Sequence, residues 1–269
     1  MATKKAASKE VTKASAEVSK TSDQLPTAFN MSEHSGAGLD NADRDSFAIP
    51  FLAIIQKGSP QVDKDSPEFV KGLETGDLIL TTTGEIFKDE DGVDVIFCDY
   101  RRVFLRWAPL DQGGGFKGEI SVSQVADMKA RGEAVDVDGK LFANNGDVLK
   151  DTRVHYVLVV REDGTSTPAV LSVSSTQIKK SKMLLTQLQS FVAKDSSGNA
   201  FTPPTFGHVY HAETIAEQND KGSWRGWKFS RIGYVSDAGL FNTAKAFSET
   251  VATDSVKVDH NVAAADDKI

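Results

Sequence analysis

Strand-like runs follow one another along this chain without a regular strand–helix alternation, and that order limits the fold more than any other feature. Gly76 to Gly84, continued by Glu85-Ile86-Phe87, has the β-branched content and glycine punctuation of a hairpin. After the turn Asp89-Glu90-Asp91-Gly92, a longer strand is predicted from Val93 to Trp107. Arg153 to Glu162 and Pro168 to Val173 are joined by Asp163-Gly164-Thr165, a strong hairpin signal. Two more strands are read at Phe206 to Thr214 and Trp224 to Val235. Consecutive strands of this kind, about six or seven with two or three helices, indicate an α+β, β-rich fold with an antiparallel sheet. The expected architecture is an oligonucleotide-binding-like (OB-like) Greek-key barrel enlarged by insertions.

The helices are read from their periodicity. Ser174-Ser175-Thr176-Gln177 has capping-box spacing, and Ile178, Ser181, Leu184, Leu185, Leu188, Phe191 and Val192 share one helical face. Ser236 is placed to cap a closing helix in which Leu240, Ala244, Phe247 and Val251 align. Residues 109–150 have a different texture, Gly-rich with Asp-Gly and Asn-Gly turns and a short helix candidate from Ser123 to Arg131, and read as a loop-rich insertion. The predicted core is 39–251, opening on a dense apolar stretch that includes Phe47, Ile49, Phe51, Leu52, Ile54 and Ile55.

Outside that core, residues 1–38 read as a disordered basic arm and 252–269 as a flexible tail, because both are too poor in large apolar residues to offset the entropy of ordering. The first 24 residues have neither the apolar run of a secretory signal nor any Arg, as a transit peptide would. No run of about 18 apolar residues occurs, so no transmembrane helix is expected. A single cysteine, Cys98, sits on a strand-like run and reads as a small buried hydrophobe in a reducing cytoplasm.

Catalytic patterns are weak. Gly113-Gly114-Gly115-Phe116-Lys117-Gly118 lacks the Gly-Lys-Ser/Thr half of a phosphate loop. His208 and His211, three apart on a strand, point to opposite faces, and nothing completes a metal's ligand set. Asp136-Val137-Asp138-Gly139 begins like a calcium loop but has its glycine too early and no closing Glu, and reads as a turn. The expectation is a binding protein with no enzymatic activity, no metal and no cofactor.

Charge is concentrated rather than spread. The chain carries 31 basic and 38 acidic residues, a net charge of −7. Yet Tyr100 to Leu110 and Lys221 to Ser236, 27 residues in all, contain three Arg, then two Lys and two Arg, and no acid. In the first segment Tyr100, Arg102, Phe104 and Arg106 alternate with Arg101, Val103, Leu105 and Trp107, so one strand face interleaves aromatic rings with guanidinium groups. The second holds Trp224, Arg225, Trp227, Lys228 and Arg231, two of the three Trp beside cations and glycines. A third group, Lys179, Lys180 and Lys182, stands in the first turn of the predicted helix, where cations oppose the helix dipole unless an anion docks there. Flat rings for unstacked bases and cations for phosphates are what single strands require.

The succession Ile49-Pro50-Phe51-Leu52 with Gly58-Ser59-Pro60, Gly76-Asp77 with Thr83-Gly84-Glu85, Phe104-Leu105-Arg106-Trp107 before Gly113-Gly114-Gly115-Phe116, and Trp224-Arg225-Gly226-Trp227 resembles tailed-bacteriophage single-stranded-DNA-binding proteins. The resemblance implies an OB fold, a sequence-tolerant coat on single strands during phage replication and recombination, and phage or host replication proteins or further copies of the chain as partners. It departs at the end: Ala265-Asp266-Asp267-Lys268-Ile269 lacks the acidic, aromatic-ended tail that recruits such partners. The rival expectation is a phage structural or assembly protein that binds no nucleic acid. A nuclease ranks third, since it would need clustered acidic metal ligands.

Overall fold

The computed structural model describes residues 30–42, 46–220, 222–253, 258 and 260. Most of the predicted arm and tail, and Lys221, lie outside the described residues. The chain divides into two units, Met1–Ser46 and Phe47–Ile269. In the first, a 3-10 turn at Met31–His34 is capped by the Asn30 side chain, which accepts from Ser32 N–H.

The second unit begins with a small antiparallel sheet of β1 (Leu52–Ile54), β2 (Leu78–Leu80) and β3 (Glu85–Phe87). Next comes β4 (Val93–Trp107), followed by β5 (Phe116–Ser121), α1 (Val122–Ala130), β6 (Ala134–Val137) and β7 (Lys140–Ala143). These are followed by β8 (Val148–Val160), β9 (Ser166–Ser174), α2 (Ile178–Ser190) and the two-stranded β10 (Ala193–Lys194) and β11 (Ala200–Phe201). The chain ends with β12 (His208–Asn219), β13 (Gly222–Tyr234) and α3 (Ala238–Ala252). The large sheet is antiparallel and runs β13-β12-β4-β8-β7-β6, with β5 also on β4 and β9 on β8.

The long strands β4 and β8 pair over nearly their whole length and are covered on both faces. One face of β4 puts Val93, Val95 and Phe97 under Leu184 and Leu188 of α2 and beside Trp227 of β13. Farther along, Phe104 packs with Val125 of α1 and with Leu141 and Leu149. The other face puts Ile96, Cys98, Val103 and Leu105 against Ala244, Phe247 and Val251 of α3. Cys98 is buried among apolar groups, which pushes its thiol up to about 12 and leaves it a packing residue at neutral pH.

The antiparallel β-rich fold with three α-helices is as the pattern predicts, and five details differ. Among the described residues the sheet does not close into a barrel. β1 meets β9 through a single parallel bridge, Phe51 to Val170, and reaches β13 through the Gln56 side chain, which exchanges two 2.9 Å hydrogen bonds with the Arg225 main chain. Residues 109–150 hold three strands and a helix around their own apolar cluster, more order than the glycine content suggests. The capping box lies at Ser121–Gln124 of α1 and not at Ser174–Gln177, where the Gln177 side chain is drawn away to β12 and β13. Asp237, not Ser236, caps α3, accepting from Leu240 N–H at 2.6 Å. Of the predicted tail, Val258 and His260 are packed, the latter sharing a 2.8 Å hydrogen bond with Glu119.

Candidate nucleic-acid interface

On β4 the predicted basic face is largely spent on the protein itself. Arg106 and Lys117 both pair with Asp147, whose carboxylate is fully buried and also accepts from Asn145 at 2.9 Å. Burial alone would raise the Asp147 carboxyl, but the Lys117, Asn145 and Arg106 donors outweigh it and hold it at about 2. Arg102 grips Asp151 with two hydrogen bonds of 2.8 and 3.1 Å, and Arg153 joins the same carboxylate at 2.9 Å. Arg101 lies over the Tyr156 ring and donates to the Val251 carbonyl at the end of α3. Phe104 is buried, and Trp107 packs on Phe116 with centroids 5.4 Å apart. Arg101 and Arg106 are thus held by the protein's own acceptors, and Phe104, expected as a stacking ring, is 8% exposed.

Tyr100 has a different setting. A bulge at Cys98, where the β4–β8 register shifts between Phe97 and Asp99, rephases the strand and sets Tyr100 opposite His155. Their rings lie 5.1 Å apart beside a cavity of about 270 Å³ lined by Phe97, Asp99, Leu185 and Ser248 among others. His155 shares a 2.8 Å hydrogen bond with Ser181 of α2. Burial, with the Arg153 charge adding to it, pushes the imidazole down to about 3, so it is neutral near pH 7.

The other two segments meet at Glu217 of β12. Its carboxylate pairs with Lys180 at 2.9 Å and accepts from Gln177 at 2.6 Å and from the Trp224 indole N–H at 2.9 Å. Burial would raise this carboxyl, but the three donors hold it below the usual range. Gln177 also accepts the main-chain N–H of Trp227, and Gln56 takes that of Arg225, so two glutamines cap the outer edge of β13. Gly226 is required here, because a Cβ would lie 2.5 Å from Glu217 Oε2 and 2.8 Å from Gln177 Nε2. Trp227 is a correction: it is 4% exposed and stacks on Phe229 inside the core, so it offers no ring to a base. Trp224 is half-buried, and Lys179 and Lys182 are exposed. Lys228 is exposed and pairs with Glu213 at 2.7 Å, while Arg225 pairs with Asp89 at 2.8 Å.

At the far end of α2, Arg231 lies 4.5 Å from both the Phe191 and Tyr234 centroids and donates through Nε to His208 Nδ1 at 3.0 Å. His208 is fully buried, and burial together with the Arg231 charge pushes its imidazole below the usual histidine range. His211 turns the opposite way, to Asp94 at 2.8 Å. Phe191, His208 and Tyr234 lie outside the ligand contacts that the sequence predicts. They join Arg231 because the β12–β13 register shifts and leaves Ile232 as an extra residue, which puts Arg231 and Tyr234 on one face despite their spacing of three.

Thus α2 and the residues flanking it are where the three segments converge: Ser181 on the Tyr100 side, Gln177 on the Trp227 main chain, Lys180 with Trp224 on Glu217, and Phe191 on Arg231. Among the described residues no three His, Cys, Asp or Glu gather as a metal site, and no helix is long and apolar enough to cross a membrane. A protein family described as Pam3 phage gp34-like protein matches residues 17–257. No curated protein and no solved structure matches.

Proposed function

Because the chain belongs to the family of Pam3 phage gp34-like proteins, we propose that it is a bacteriophage single-stranded-DNA-binding protein that holds the strand along α2 and β13. One observation carries this reading: these two elements pack side by side and carry Lys179, Lys180, Lys182, Arg225, Lys228 and Arg231 with no Asp or Glu in either; carboxylates from elsewhere pair with Lys180, Arg225 and Lys228, and among the described residues none pairs with Lys179, Lys182 or Arg231. In a chain of net charge −7 such a surface attracts a phosphate backbone while the remaining body repels it. Tyr100 and Trp224 flank it as half-exposed rings, the sequence-tolerant contact that unpaired bases make. The arrangement of β13-β12-β4-β8-β9, with β1 and Gln56 reaching from β9 back toward β13, supports an opened OB-like barrel as the scaffold. Such binding needs neither a cofactor nor a catalytic step, and host or phage replication proteins would meet the protein on the strand in the bacterial cytoplasm.

The test is tryptophan fluorescence during titration with a single-stranded oligonucleotide at several salt concentrations, with duplex as the control. Quenching by the single strand should weaken with a log–log salt slope of up to about −4 if all six cations meet phosphates. No binding at low salt by the folded protein would overturn the reading in favour of a phage structural or assembly protein.

A further inference from the structure

Arg231 differs from the other described arginines of the body. Arg102, Arg106, Arg131, Arg153, Arg161 and Arg225 each pair with a carboxylate, and Arg101 binds the Val251 carbonyl. Arg231 is instead bonded only through Nε to the His208 imidazole, and no carboxylate among the described residues neutralises it. The hydrogen-bonded Arg231 and His208 side chains form one layer. Phe191 lies on both members, 4.5 Å from the guanidinium and 5.0 Å from the imidazole at 32°. Tyr234 lies likewise, at 4.5 Å and at 5.0 Å with 37°. Two rings therefore fix the orientation of a guanidinium whose terminal nitrogens remain for a ligand. A guanidinium held this way is preorganised for two parallel hydrogen bonds to an oxyanion. The outermost ring, Tyr234, is 52% exposed.

We propose that this stack is a nucleotide clamp: the Arg231 terminal nitrogens grip the oxygens of one phosphodiester, and the outer side of Tyr234 carries the adjoining base. This rests on the single-strand reading above and adds to it a second aromatic contact. The clamp lies at the Phe191 end of α2, about 20 Å along the helix from Gln177 and Trp224, so the ligand must be long enough to reach both ends. Its chemistry is that of a stacked base with its own phosphate. An abasic strand would keep only half of it, and a carboxylate-rich peptide would keep only the anionic half.

The experiment compares the full chain with Tyr234→Phe, Tyr234→Leu and Arg231→Gln, titrated with an oligothymidylate and with an abasic phosphodiester of equal length. Tyr234→Phe should bind oligothymidylate as the parent does, and Tyr234→Leu about tenfold more weakly. On the abasic strand Tyr234→Leu should lose clearly less than on oligothymidylate, because only the hold on Arg231 is relaxed there, a difference that a merely structural role for the ring would not produce. Arg231→Gln should weaken both ligands and reduce the magnitude of the salt slope by about 0.7. If the parent binds oligothymidylate but all three variants match it, the clamp is wrong and the single-strand reading stands. If the parent binds neither strand, both fall. Tyr234→Leu losing equally on both strands would also overturn base stacking at this position.

Discussion

Acidification should release stability through His155, by an amount that follows from its burial. The imidazole is 1% exposed, lies between Phe97 and Tyr100, and is held at about 3 against an ordinary value of 6.5. Its folded-state value lies below its unfolded one, so the neutral ring contributes full stability above pH 6.5 and loses it as pH falls toward 3. Each pH unit within that window costs about 1.4 kcal/mol, giving about 2 kcal/mol at pH 5 and about 3 kcal/mol at pH 4. That is a large share of the 5–15 kcal/mol typical of a domain's total stability, roughly stated. Because His155 binds Ser181, the loss falls on the docking of α2, so the single-strand binding proposed above should weaken over the same range. Urea unfolding followed by tryptophan fluorescence at pH 7.5, 6, 5 and 4 measures the loss, with His155→Gln as the comparison. The variant lacks the titrating ring. It should start less stable at pH 7.5 by about 1–3 kcal/mol, and the gap to the parent should shrink by about 2 kcal/mol on reaching pH 5. Parallel curves across the whole range would refute the assignment of this acid loss to His155.

Other substitutions separate core from surface. Gly226→Ala drives a Cβ into Glu217 and Gln177, and should cost about 1–3 kcal/mol with a shifted Trp224 indole N–H resonance; an unmoved resonance would count against the Glu217 junction. Trp227→Ala should lose about 3–5 kcal/mol of stability by leaving a cavity. Trp224→Ala should lose less stability but more single-strand affinity, about 1–3 kcal/mol, so the two rankings should be opposite in melts and titrations. Lys179→Glu with Lys182→Glu should leave the melting temperature nearly unchanged and flatten the salt dependence of binding by at least about 1.4 in slope.

By itself, the sequence determined the long strands, the buried face of the closing helix and the antiparallel class, and it missed the three short strands inside residues 109–150. Alternation and turn residues act over a few positions, so Val93 to Trp107 emerges with the predicted bounds, and Ala244, Phe247 and Val251 share a buried face. It also located two acid-free basic segments, because charge can be counted without coordinates. It could not decide which cations remain for a ligand. Asp147 lies 41 residues from Arg106, Glu217 lies 37 residues from Lys180, and pairings across such separations exist only once strands are in register. Nor could it tell Trp224 from Trp227, since two rings three apart in one motif differ only in which side of β13 faces α2 and the core. The bulges at Cys98 and Ile232 are the sharpest case. Each inserts one residue into a ladder of period two and reverses the faces beyond it, and only paired strands show where that happens. Tertiary structure alone thus placed Tyr234 beside Arg231 and Tyr100 beside His155.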